Sequence, residues 1–452
     1  MFKVFGGRGS DCTGVTRRTF LQAGVLGGGL ALGDLYRARA ADHALPHVEG
    51  ASVILFWMSG GPGHMETWDP KPDAVSQFRG PFGATKTSVP GIQFGELLPE
   101  QAKIADKVSI LRGVNHGSGD HTKGNHWMLT GFEGPAFNEA NFNVQKRPCM
   151  GSATAKLIGP NRPGLPSYAA VPHLRGGTDN FFHYAAYLGR VSNPFVTEGD
   201  PNDAEFRVRN LALGKDMPIA RLEDRKHLLE SLDLQKRTVD SHGAELDPHA
   251  QRAFSLLTSK ASANAFDISA ESPKVRDAYG RHTFGQSALL ARRLVEAGVT
   301  FVTVNCVPWD HHGTANRLAT EPGAKLLIPP FDKALAALIR DLIDRGLYER
   351  TLVVAMGEFG RTPRMNAEGG RDHWGNVFSV LMGCGSMKMG QAIGRSNPKG
   401  EYPVDRPVSP QDVTATVFKH LGIDARNVHF RDGLDRPTAL VETGEAVHQL
   451  FG

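Results

Sequence analysis

Five times along the chain a short β-branched or apolar run stops abruptly at a loop of Gly, His, Asp and Asn. SVILFWM (52–58) runs into SGGPGHMETWDP, KVSILRGV (107–114) into NHGSGDHTKGNH, and VTFVTVN (299–305) into CVPWDHHGT. TLVVAM (351–356) then meets GEFGRTPRMN, and VFSVLM (377–382) meets GCGSMKMG. Continuous apolar runs of about five to seven residues suit strands buried on both faces, whereas strands of a half-solvated sheet alternate. Helical patterns lie where such strands need crossovers. FGQSALLARRLVEAG (284–298) and FDKALAALIRDLIDRG (331–346) each end in Gly and feed the next run. Near the C-terminus SPQDVTATVFKHLGI offers a Ser cap and a Pro at the first helical position. The pattern predicts an α/β fold, a mostly parallel doubly wound sheet with helices on both faces. From about 134 to 281 the rhythm breaks into a loop-rich half and a charged helical half, read as an insertion or cap.

The N-terminus reads as a targeting segment. TRRTFLQ (16–22) precedes the weakly apolar AGVLGGGLALG and the small-residue site Ala38 to Ala40, the signature of a twin-arginine signal peptide spanning 1–40. The apolar run is about a dozen residues, short of the roughly 20 needed to span a bilayer, and none later is longer. The expectation is an exported protein, periplasmic or extracellular, whose partner on the way out is the Tat machinery and whose domain occupies 41–452. Removing 1–40 takes six of 51 basic and two of 47 acidic residues, which leaves 45 of each. The net charge of +4 therefore belongs to the signal, and a neutral domain argues against nucleic acid or an anionic membrane as partner. Cys149, Cys306 and Cys384 remain, too few and too scattered for a disulfide scaffold, so stability must come from a core.

Ligands in an open parallel sheet bind at the carboxyl ends of the strands. Four of the five loops are rich in acid, base or metal-ligand types and would gather there. The first holds His64, Glu66 and Asp69 behind a GGPG lead-in; the second holds His116, Ser118, Asp120, His121, Thr122 and His126. Ser118 and Thr122 fall near a helix N-terminus, where either hydroxyl could cap the helix or, activated by a neighbouring His, act as nucleophile. In the third loop Asp310, His311 and His312 are adjacent. Carboxylate with imidazole suits Zn, Fe, Ni or Mn, and consecutive His point apart, so one of the two shares a site with Asp310. The fourth loop places Glu358 at a strand end with Arg361, followed by Arg371, Asp372 and His373. Its carboxylates and His extend the ligand set, and its guanidiniums suit a tetrahedral oxyanion or a buried ion pair. No CxxC, HExxH, Walker or GxGxxG pattern is present.

ILFWMSGGPGHMETWDPKP, NHWMLTG, WDHHG, GEFGRTPRMNAEGGRDHWGN and PVSPQDVTATVFKHLGID, in that order after a twin-arginine signal, resemble the exported bacterial family called domain of unknown function 1501, of the alkaline phosphatase and sulfatase superfamily. The resemblance implies a three-layer αβα sandwich with a metal-dependent site at the strand ends, holding Zn, Mn or Ca. It implies Thr122 or a neighbour as nucleophile, with His126 beside it, and Glu66, Asp310, His312, Glu358, Asp372 and His373 as metal ligands. Arg361 would clamp an oxyanion. Ser59 stands where the first strand of the superfamily delivers an Asp, so Glu66 or Asp69 would substitute, and Glu358-Phe359 replaces an Asp-His pair. CVPWD at Cys306 lacks the Arg of a C/S-x-P-x-R site, which argues against a formylglycine sulfatase. The expected activity is hydrolysis of a phosphate or sulfate ester, of a small molecule or a glycan; a non-catalytic binding or assembly protein on the same fold is the alternative.

Overall fold

The computed structural model describes residues 49–141, 143–174, 182–208, 255–256, 258–306, 308–313 and 318–452. The expected twin-arginine segment and most of the charged helical stretch expected before 281 lie outside the described residues. One sheet of eight strands organises the rest. In chain order these are β1 (Ser52–Met58), β2 (Ser109–Val114), β3 (Tyr168–Val171) and β4 (Phe195–Val196), then β5 (Phe301–Cys306), β6 (Thr351–Met356), β7 (Phe378–Gly383) and β8 (Ala392–Ile393). Their spatial order is β8-β2-β7-β6-β1-β5-β3-β4. β1 lies at the centre, parallel to β5 with Val53 opposite Phe301 and parallel to β6 with Ser52 opposite Thr351. Only β7 runs against its neighbours β6 and β2.

The continuous apolar run of β1 exists because both of its faces are covered. Ile54, Phe56 and Met58 enter a core shared with two helices, α3 (Thr283–Ala297) and α4 (Thr320–Asp344). Val53, Leu55 and Trp57 enter a second core with α1 (His121–Thr130), α2 (Met150–Leu157) and α5 (Pro410–His420). The period-two alternation of a strand thus divides one sequence between two layers, and each such fully buried side chain contributes roughly 1.5–3 kcal/mol. The result is a three-layer αβα sandwich.

Local signals place the helices. Gly298 ends α3 with positive φ (122°), its amide bonded to Leu294 and Val295 carbonyls. Ser409 opens α5 with Pro410 at the first position and a reciprocal capping box with Asp412. The sequence pattern starts the next-to-last helix at Phe331, but α4 begins eleven residues earlier and carries Pro329 and Pro330 inside it. Two prolines read as a stop because they lack N–H donors. Here the earlier turns are retained because Ala324, Leu327 and Ile328 pack into the core. Among the described residues no helix is long and apolar enough to cross a membrane, and Cys149 and Cys384 are free and buried.

Candidate metal centre

The loops after β1, β2, β5 and β6 come together at one end of the sheet, as parallel strands require. β7 adds a fifth contribution because it runs the other way: the segment before it, not after it, reaches that end. There His373–Trp374 pairs with Gly360–Arg361 in a small antiparallel ribbon, with His373 opposite Arg361. This ribbon delivers an imidazole and a guanidinium to Asp310, which follows β5. The fourth contributor is His121, the first residue of α1, held in place because Asp120 caps the helix by accepting from the Lys123 amide at 3.0 Å.

His121, Asp310 and His373 each offer one ligand atom within 4.8 Å of the others. His373 Nε2 lies 3.1 Å and His312 Nε2 2.7 Å from Asp310 Oδ1, and His121 Nε2 lies 3.8 Å from Asp310 Oδ2. His312 Nε2 and His373 Nε2 are 2.8 Å apart. The far nitrogen of each ring is already assigned. His373 Nδ1 faces the Gly119 carbonyl at 2.8 Å, His121 Nδ1 faces Glu358 Oε1 at 2.7 Å, and His312 Nδ1 faces Asp372 Oδ1 at 3.3 Å. A carbonyl or carboxylate there only accepts, so each Nδ1 carries a proton, and the Nε2 atoms, which share the contacts with Asp310 and with each other, are the ones left to ligate an ion. Imidazoles oriented by a second acceptor around a shared carboxylate form the donor arrangement of a nitrogen-rich divalent metal site. Three imidazoles and one carboxylate suit Zn, and Mn less well; Ca prefers an all-oxygen shell.

Charge in this corner is tightly managed. Burial would raise the Asp310 carboxyl, but hydrogen bonds from His121, His312 and His373 and the charge of Arg361 hold it far below the ordinary carboxylate range. Burial pushes His373 down, against the pull of Asp310, which favours the neutral ring a metal needs. Arg361 is buried and gives its donors to Gly61 O (2.8 Å), Arg371 O (3.0 Å), Gly60 O, His312 Nε2 (3.3 Å) and Asp310 Oδ1 (2.5 Å). Those bonds use its five N–H groups, so in this geometry it orients the cluster and is not turned toward an incoming oxyanion. Glu358, fully buried, accepts from the Gly60 amide at 2.8 Å as well as facing His121; it is placed behind the His121 ring.

Other residues singled out in the sequence stand elsewhere. Glu66 Oε1 pairs with Arg371 Nε at 2.8 Å, and Asp69 pairs with Lys71 at 2.9 Å and bonds Ser396; neither joins the cluster in the place of the missing first-strand Asp. Thr122 is 1% exposed, with its hydroxyl unpartnered on the inner side of α1. His126 is fully buried, its Nδ1 on the Phe132 carbonyl at 2.8 Å and its Nε2 accepting from the Lys146 amide at 3.3 Å. Asp372 is largely exposed and touches the cluster only through His312. Of the adjacent pair, His312 faces Asp310 while His311 turns to an internal cavity. His121 is the ligand-type residue that the sequence reading passed over for its neighbour Thr122; the signal was Asp120, whose capping role fixes the next residue at the first turn.

The family model described as "Protein of unknown function (DUF1501)" matches residues 50–451. The chain belongs to this family. No curated protein matches it. Among solved structures, this DUF1501 member is similar to a lipoteichoic acid synthase from Listeria monocytogenes, at TM-score 0.40 and 10% identity over 86% of this chain and 78% of that one. It is also similar to a phosphonate monoester hydrolase of Agrobacterium radiobacter, at TM-score 0.36 and 13% identity over 88% and 77% of the two chains. A sulfatase from Pseudoalteromonas sp. gives TM-score 0.38 and 13% identity over 83% and 68%.

Proposed function

We propose that this chain is an exported, metal-dependent hydrolase of phosphate or sulfate esters, acting on a small molecule or a glycan. The observation that carries the reading is the convergence of His121, His312 and His373 on Asp310, each ring with its far nitrogen fixed by an acceptor. His121, Asp310 and His373 would hold the ion. A divalent ion there would supply Lewis acidity and offset the charge that develops on an ester oxyanion. The chain's own residues do the rest. Arg361 fixes Asp310, and Glu358 fixes the His121 tautomer. Buried Thr122 is poorly placed as a nucleophile, so water is the better attacking group. His312, partly exposed and hydrogen-bonded to the exposed Asp372, is the base placed to take its proton. Export rests on the twin-arginine motif alone.

The inaccessible Thr122 hydroxyl and the fully engaged Arg361 also favour a second reading, a non-catalytic metal-binding or assembly protein on the same fold. A panel of aryl phosphate, phosphonate and sulfate esters, assayed with zinc-loaded protein and with a His312→Gln variant, separates the two. Turnover that collapses in the variant supports the hydrolase; stoichiometric zinc without turnover of any ester supports the binding protein.

A further inference from the structure

Beside the cluster, with Arg361 shared between them, lies a cavity of about 10 Å³, close to the space of one water molecule. Its lining includes Glu66, Trp309, His311 and Thr320. Each brings a buried polar atom with no hydrogen-bond partner: Glu66 Oε2, Trp309 Nε1, His311 Nε2 and Thr320 Oγ1. Four such groups around one hole share a need for a partner, because buried polar atoms are nearly always paired.

The chemistry of the four identifies the occupant class. The indole N–H of Trp309 only donates, and the Glu66 carboxylate oxygen, paired through its other oxygen with Arg371, only accepts. An anion would face the carboxylate. A cation would face the indole N–H and the guanidiniums of Arg361 and Arg371, which also line the cavity. A neutral molecule that both accepts and donates satisfies all of them, and at this volume that molecule is water. Two glycines make room for its polar lining. A Cβ at Gly63 would sit 2.0 Å from Glu66 Oε2, and one at Gly323, inside α4, would sit 2.3 Å from the His311 ring, so any side chain at either would push a polar group out of position.

We propose that this cavity is a specific site for one buried water, accepting from Trp309 and donating to Glu66, with Thr320 and His311 completing its shell. Trp309 and His311 flank Asp310, Glu66 belongs to the loop after β1, and Thr320 opens α4. The water therefore ties three separate segments together around the carboxylate at the centre of the cluster, and Trp309 and Glu66 become positioning residues for Asp310. The positioning role rests on the metal reading; the water site does not.

The test is a high-resolution crystal structure of the full chain, with parallel soaks in rubidium and bromide, and zinc titrations of the wild type and Trp309→Phe. The expected result is one peak within hydrogen-bond distance of at least three of the four atoms, with no anomalous signal in either soak. Zinc affinity is expected to fall several-fold in Trp309→Phe, with Thr320→Val behaving likewise should the indole change disturb packing. An empty cavity, or a rubidium or bromide peak inside it, overturns the water site. Unchanged zinc affinity in both variants overturns the positioning role. Water in the cavity of a protein that binds no zinc upholds the water site and refutes only the metal reading.

Discussion

Replacing Arg361 with Met tests whether the guanidinium is the strut of the cluster. The substitution keeps much of the apolar stem and removes every N–H directed at Gly60, Gly61, Arg371 and Asp310. It removes the guanidinium partner of a carboxylate that is 6% exposed, and removing one partner of a buried pair costs roughly 3–5 kcal/mol. For the roughly 340 described residues the unfolding entropy is about 0.7 kcal/mol/K, so the midpoint of thermal unfolding falls by about 4–7 °C. Neutralising that carboxylate restores part of the loss. Arg361→Met combined with Asp310→Asn therefore unfolds less easily than the sum of the two single changes implies, with a coupling of about 1.5 kcal/mol or more. The cycle is read by calorimetry in chelator, so that no metal contributes to either state. A melting point within about 1 °C of the wild type for Arg361→Met, or strict additivity in the double variant, would refute the reasoning.

Three further outcomes follow from other parts of the fold. Asp332 is buried in α4 and accepts from the Glu100 and Gln101 amides, and burial pushes its carboxyl up to about 6. Its folded pKa thus exceeds the ordinary value near 4, so the folded state holds the proton more tightly between about pH 4 and 6 and stability falls as pH rises through that window. Relative to Asp332→Asn, the wild type should lose on the order of 2–3 kcal/mol between pH 4 and 7.5 in denaturant titrations; a flat difference would contradict the assignment. Gly370→Ala should lower both stability and zinc content, because a Cβ there meets the His312 carbonyl at 1.9 Å and must shift the loop that presents His373; wild-type zinc content in that variant would show the loop to be free to adjust. Ser409→Ala removes the reciprocal cap of α5 and should cost about 1 kcal/mol in the same titrations, with zinc binding untouched.

The layer architecture was legible because it is written in burial: strands covered on both sides must be apolar throughout, and their ends must gather the polar loops. Asp310, His312 and His373 stood out by type and position. Strand direction was not legible. Nothing in VFSVLM says that it runs antiparallel, yet that reversal carries the preceding His373 to the cluster. Contacts across the sheet were equally hidden: Glu66 and Arg371 are 305 positions apart and satisfy each other, so a carboxylate that suits a ligand by composition is spent on an ion pair. His121 and Thr122 are neighbours of opposite fate, since one helical step of about 100° separates a face toward the site from a face toward the core.

Whether His121, Asp310 and His373 hold a divalent ion is read most directly by elemental analysis of the purified chain, beside His121→Ala and a Thr122→Val control. The account predicts close to one tightly bound zinc per chain in the wild type and the control, and its loss in His121→Ala. A metal-free wild type after reconstitution with zinc, or full retention in His121→Ala, would contradict it.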